Sequence, residues 1–296
     1  MDGLLECVPN FSEGRDEAAL AAIRAAIEAH ARVLDVHADA DHNRSVFTCV
    51  GTEAGLVEGI AAGVAEAAAR IDLRRHEGVH PRVGAADVVP FVRFAAGDEA
   101  PERAARAVGE RIGASGIPIL GYAELGGGLR PAHFRAGGTE RLAARLAAGE
   151  VVPLYGPPEL HETAGAVLLG VRTPLVAFNV DLATADAGIA RDIAASVRER
   201  DGGLPGVQAL GLRLAGRAQV SMNVVDLTAT PLHQVVAEVE RLASAHGVAV
   251  VGGELVGLVP AAVAAQAAGS ALMLAEMTPE HVLEVAVSGR FGASAR

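Results

Sequence analysis

No lysine occurs among the 296 residues of this chain; its 25 basic residues are all arginine. Imine chemistry on a lysine amine and a phosphate-binding P-loop both need lysine and are excluded. Tryptophan is also absent, and aromatics make up 3% of residues although 51% are apolar. The core must therefore be built from Ala, Val and Leu, with helices approaching closely. Two cysteines, Cys7 and Cys49, lie in apolar, strand-like runs, which predicts buried thiols rather than a disulfide or a zinc site. The longest apolar run, Ala261 to Ala275, is broken by Gln266, Gly269 and Ser270 and is too short to span a bilayer. The first residues are acidic and lack the basic stretch of a secretory signal, so a soluble cytoplasmic protein is expected. A net charge of −11 argues against nucleic acid as the main partner, and an anionic substrate would need a local arginine cluster working against that field.

The densest chemistry lies in Ile71 to Phe91, IDLRRHEGVHPRVGAADVVPF. His76, His80, Arg74, Arg75, Arg82, Glu77 and Asp87 crowd into a span that Gly78, Pro81 and Gly84 keep from being helical. Pro81 pushes His80 out of the α region, so the two histidines share no helical face. A rigid loop carrying bases and cations points to proton exchange and carboxylate binding. A plain polar surface loop is the alternative reading.

Around this loop the chain repeats one pattern. Leu4 to Pro9 reads as a strand, Asp16 to His30 as a helix, and Val33 to Val36 and Arg44 to Val50 as strands. A helix capped by Thr52 follows, then a strand over Asp87 to Arg93. Pro101 to Ala114 is a further helix and Ile117 to Tyr122 a strand. An irregular region rich in Gly and Pro follows from Gly126, with Thr139 to Ala148 helical inside it, and is the expected linker or mobile binding loop. From Leu175 the order β-α-β-β-α-β returns, with Thr230 as the cap of a helix over Pro231 to Ala245, and a helical tail follows from Pro260. The expected fold is α+β, two ferredoxin-like βαββαβ subdomains over 1–172 and 173–296, each an antiparallel sheet covered by helices.

Other constellations carry less. HEGVHP does not form a zinc helix, because Gly and Pro intervene. Asp39, Asp41 and Asn43 fit the start of a calcium loop, but Arg44 and Val50 stand where Gly and Glu are needed, so the tract reads as a solvated turn. No metal is expected. Ser12 and Ser45 have no nucleophile elbow around them.

ECVPNFSEG at Glu6 to Gly14, DHNRSVFTCVG at Asp41 to Gly51 and the central stretch resemble the formiminotransferase domain of formiminotransferase-cyclodeaminase. So do LVAFNVDL, VQALGL, QVSMNVVDLTATPLH and GGELVGLVP in the second half, and the resemblance covers nearly the whole chain in order. It implies two ferredoxin-like subdomains with a substrate tunnel between them, in a homodimer. It also implies an enzyme, a glutamate formimidoyltransferase. That activity moves a formimino group from N-formimino-L-glutamate to tetrahydrofolate as co-substrate, within histidine degradation and one-carbon metabolism. The family's catalytic histidine falls on His80, and its folate loop on Gly156 to Gly165, where Gly156, Pro157 and Gly165 match. Departures are His37 where an acid is usual, Val152 to Tyr155 in place of an aromatic-acid pair, and the runs PELHETA and PAHFRAGG. Cyclodeaminase activity is expected from a separate protein, if at all.

The chemistry so implied needs one group that takes a proton from the attacking folate nitrogen and returns one to the leaving amine, a task that suits His80. Both substrates carry carboxylates, so Arg44 and Arg82, then Arg74, with His37 and Asp39, form the expected substrate-binding set. A folate-binding protein without transferase chemistry, or a folate enzyme with another one-carbon donor such as formyl, are the alternatives.

Overall fold

The opening apolar run folds as two short strands, β1 (Leu5–Cys7) and β2 (Asn10–Phe11), interrupted at Pro9, which has no N–H to give to a ladder. The computed structural model describes residues 3–94, 97–274, 277–282 and 285. It divides into two compact units, Met1–Pro174 and Leu175–Arg296.

In the first unit, β1 and β2 are followed by α1 (Glu17–Glu28), β3 (Arg32–Asp39), β4 (Arg44–Gly51), α2 (Glu53–Arg70) and β5 (Ala86–Val92). The Asp16 carboxylate caps α1 by accepting from Ala18 and Ala19 N–H, and the Thr52 hydroxyl caps α2 by accepting from Gly55 N–H. β1 and β2 lie between β4 and β5, antiparallel to both, and β3 pairs with the far edge of β4. Then come α3 (Ala100–Ala114), β6 (Ile119–Ala123), α4 (Pro131–Arg135), α5 (Gly138–Ala147) and β7 (Val167–Arg172). β7 adds parallel to β5, and β6 parallel to β7.

Strand alternation sorts the side chains onto two faces. Phe11, Phe47 and Phe91 join the apolar sides of α1, α2 and α3 in the main core, with the Phe11 and Phe47 rings edge to face at 5.1 Å. Helices do approach closely there: a Cβ on Gly63 of α2 would lie 2.6 Å from Ile27 of α1. Cys7 and Cys49 stand opposite each other in β1 and β4, both buried and free. On the other face, Phe134, Leu142 and Leu146 of α4 and α5 cover Val88, Leu120 and Leu168. The rest of that face, where β2 and β4 present Asn10 and Arg44, carries polar groups.

The second unit contains β8 (Val176–Leu182), α6 (Ala187–Val197), β9 (Val207–Leu214), β10 (Arg217–Val224), α7 (Leu232–Ala245), β11 (Val250–Val256) and α8 (Ala261–Ala271). Its strands run in the order β11-β8-β10-β9, all antiparallel, over a core of Val180, Val220, Ile193 and Val239. Among the described residues no helix is long and apolar enough to cross a membrane. The rest of the expected tail, 283–284 and 286–296, lies outside the described residues, as do Met1, Asp2 and Ala275.

Three expectations are corrected. The first unit's sheet is mixed rather than antiparallel, because β7 and β6 add to it in parallel, and β7, buried on both faces, was not expected as a strand. Its run VLLGV therefore lacks the alternation that announces a half-exposed strand. The Gly- and Pro-rich region is no linker: it carries α4 and α5 inside the first unit. Thr230 does not cap α7, since its hydroxyl donates to Pro205 O at 2.8 Å and Pro231 holds the cap position.

Candidate active site

The central loop is held by contacts from four directions. Asn43, in the left-handed region at φ 47, donates to Glu77 O at 2.8 Å and accepts from Gly14 N–H at 3.0 Å. Gly78 lies so close to the turn before β4 that a Cβ would sit 2.4 Å from His42 O, which is why glycine is required there. Asp87, 1% exposed, accepts from Val83 N–H at 2.7 Å. The Ser12 hydroxyl donates to Gly84 O at 2.7 Å, a structural tie in place of the nucleophile role that its sequence context already denied it.

The loop over 156–165 lies against the same segment. Leu73 N–H donates to Thr163 O and Ala85 N–H to Ala164 O, both at 2.9 Å. Gly165, at φ +69, leaves no room for a side chain, because a Cβ would fall 2.2 Å from Val83 O. His161 Nδ1 accepts from Ala164 N–H at 3.1 Å and tightens the turn. Gly156, at φ +81, packs on Ile117 O, and Pro157 follows it. These contacts bring Gly165 against the segment that carries His80, whereas Gly156 and Pro157 sit at the other end of the loop, beside Ile117.

His80 Nε2 lies 2.8 Å from Arg44 Nη1. A guanidinium only donates, so Nε2 holds a lone pair and the proton is on Nδ1: the ring is neutral. Burial first, then the cations Arg44 and Arg135 and the ring of His42, push the His80 pKa well below the ordinary imidazole range. Arg44 also donates to Asn10 Oδ1, and burial together with Arg135 brings its own pKa down to about 10. Arg135 of α4 pairs with Asp87. The ring of His42 stands 6.2 Å from that of His80, its backbone N–H held by Asp39 Oδ1 at 2.7 Å.

The expected substrate-binding residues divide. Arg44 meets His80 directly. Arg82 donates through Nη2 to Gly78 O at 2.6 Å and His80 O at 2.8 Å, so it braces the loop that presents the histidine. Asp39 terminates β3 opposite Arg44 and holds the His42 turn, and His37 lies on β3 opposite Val46 rather than in a turn. Arg74 is exposed and engages Asp72 and Glu162. Asn10, His42 and Arg135 were missed. Asn10 and His42 lie inside NFSEGR and DHNRS, but nothing local marks them as neighbours of His80, and Arg135 comes from a helix of five residues that has no apolar period to read. Among the described residues no group of three or more His, Cys, Asp or Glu could hold a metal ion.

Two family models match in succession: the N-terminal subdomain of the formiminotransferase domain over residues 4–172, and the formiminotransferase domain over residues 177–285. The chain belongs to the formiminotransferase family. Within it, the chain is 39% identical over 273 residues to a glutamate formimidoyltransferase of Streptococcus pyogenes serotype M1, covering 88% of this chain and 90% of that one. A glutamate formimidoyltransferase of Thermoplasma acidophilum is 39% identical over 87% of this chain and 88% of its own. The formimidoyltransferase-cyclodeaminase of Gallus gallus is 40% identical over 88% of this chain, which spans 51% of that longer protein. In the second unit, the family-like runs bring Asn179 and Gln219 together on Glu254, donating to its carboxylate at 2.9 and 3.3 Å.

Proposed function

We propose that this protein transfers the formimino group of N-formimino-L-glutamate to tetrahydrofolate, with His80 as general acid-base. The observation that carries the reading is a neutral, half-buried imidazole, held 2.8 Å from an arginine in a loop joined to the glycine turn at 161–165. When the folate nitrogen attacks the formimino carbon, it acquires ammonium character and becomes a strong acid. A base of low pKa suffices to remove that proton. The imidazolium so formed is then a strong acid towards the departing glutamate amine. No covalent enzyme intermediate is needed. Arg44 engages Nε2, and a carboxylate that draws the guanidinium away would free the lone pair for this step. Arg82 supports the transfer by fixing the His80 carbonyl, and Gly156, Pro157 and Gly165 form the folate-facing turn.

The strand order β5, β1–β2, β4, β3 in the first unit, and β11, β8, β10, β9 in the second, supports reading each as a ferredoxin-like unit, the first extended by β7 and β6. Two facing cysteines that stay unbridged suit a reducing, cytoplasmic compartment. The reading extends to a homodimer, as the family resemblance implies. The test is turnover of formiminoglutamate and tetrahydrofolate, followed by release of 5-formiminotetrahydrofolate and glutamate. His80→Ala is expected to lower kcat by about 10²–10⁴ with the fold intact. A variant that retains more than about a tenth of the rate would place the proton transfer elsewhere.

A further inference from the structure

Three guanidiniums, Arg44, Arg82 and Arg135, act on one another around the His80 loop, and the carboxylate that acts on them there is Asp87. The cluster therefore holds an excess of two positive charges in a chain whose net charge is −11. Four polar side-chain atoms there, Arg44 Nε, Arg135 Nε, His42 Nε2 and His80 Nδ1, are buried and lack a hydrogen-bond partner of good geometry among the described residues. Buried donors are ordinarily satisfied, and leaving one unmade costs on the order of 1–3 kcal/mol. An anion seated among them would supply the partners that the protein does not.

A polar cavity of about 320 Å³ opens on the His76 side of the loop, but its Arg15, Arg70 and Arg75 are balanced by Glu13, Asp72 and Glu77. The charge excess lies on the His80 side, where Asp87 offsets only one of the three guanidiniums. We infer that Arg135, projecting from α4, binds the donor substrate together with Arg44, the two guanidiniums and His42 taking the pair of carboxylates of a five-carbon dicarboxylic amino acid. The two excess charges match a dianion, and each free Nε offers a further donor beside a terminal nitrogen already engaged, the planar fork that suits a carboxylate. Seated there, the dianion would compete with His80 Nε2 for Arg44, coupling donor binding to release of the base. Asp87 is a positioning residue in this scheme: it holds Arg135 through one oxygen and the His80 loop, at Val83, through the other.

This inference rests on the formimino-transfer reading for the identity of the donor, and its test separates the two. Glutarate, which has the two carboxylates and no transferable group, serves as the probe in calorimetric titration. Arg135→Gln alone would leave Asp87 buried and unpaired, so the variant is the double Asp87→Asn, Arg135→Gln, which removes both partners. Arg111→Gln, which breaks a surface pair with Glu58, is the control. Wild type and control are expected to bind glutarate, and the double variant about 10–100-fold more weakly, the range for hydrogen bonds to charged groups. KM for formiminoglutamate should rise by a similar factor while KM for tetrahydrofolate holds. Equal glutarate affinity in the folded double variant, or no binding by wild type, overturns the inference even if transfer proceeds. Binding that depends on Arg135 in a protein inactive with formiminoglutamate would instead sink the transfer reading and leave the dicarboxylate site standing.

Discussion

Arg44→Gln changes the charge beside His80 while keeping a side chain able to reach Asn10. In the native protein four effects hold the imidazole neutral: burial is the largest, Arg44 comes next, and Arg135 and His42 follow. The substitution removes only the second. A unit charge about 4 Å from another is worth roughly 4 kcal/mol at an effective dielectric constant near 20, which caps the effect at about three pKa units. Relaxation and the delocalised guanidinium charge reduce this, so a rise of about one to two units is expected. The final value should still lie below that of a free imidazole, because burial and Arg135 remain. An NMR titration of the His80 ring in both proteins measures it directly, and an unchanged titration would refute the electrostatic argument. Stability provides a second readout. Because the folded pKa is depressed, the unfolded chain binds the proton more tightly, and stability is lost as pH falls from about 6.5 through the folded value. His76, also lowered by burial and Arg82, acts in the same direction in both proteins. The urea midpoint of wild type should therefore drop more between pH 7.5 and 5 than that of Arg44→Gln.

Other substitutions examine the surroundings. Gly165→Ala forces a Cβ onto Val83 O at φ +69, so a loss of at least about 1–2 kcal/mol from the backbone alone is expected, with a lower Tm and a raised KM for tetrahydrofolate. A variant as stable as wild type would mean the turn is not held against the loop. His42→Gln removes a ring 6.2 Å from His80 and should move the acidic limb of kcat/KM upward by less than one unit or so, whereas His37→Asp, adding an acid to a cationic site, should raise it by about one unit. Superimposable profiles for His37→Asp would remove that residue from the site.

Residues that repeat a local rule were legible in the sequence. The apolar spacing of Ala19, Ile23 and Ile27, the Thr52 cap and the alternation of Arg44, Val46 and Thr48 against Ser45, Phe47 and Cys49 each depend on neighbours a few positions away. The strand and helix order and the loop nature of His80 followed from them. β7 was hidden because a strand buried on both faces has no alternation. α4 was hidden because five residues make too few turns to show a period. The candidate site required both. Arg44 and His80, 36 positions apart, meet because β4 runs beneath the loop that Gly78 allows to touch His42 O. Arg135 reaches them because α4 covers the sheet end that β6 and β7 add. The sequence by itself determined which groups could do proton transfer and carboxylate binding. Only the tertiary structure decided that burial and Arg44 keep His80 neutral, that Arg82 braces the loop and that Arg135 joins the charge cluster, because electrostatic coupling depends on distance through space and on burial, and neither is a property of local sequence.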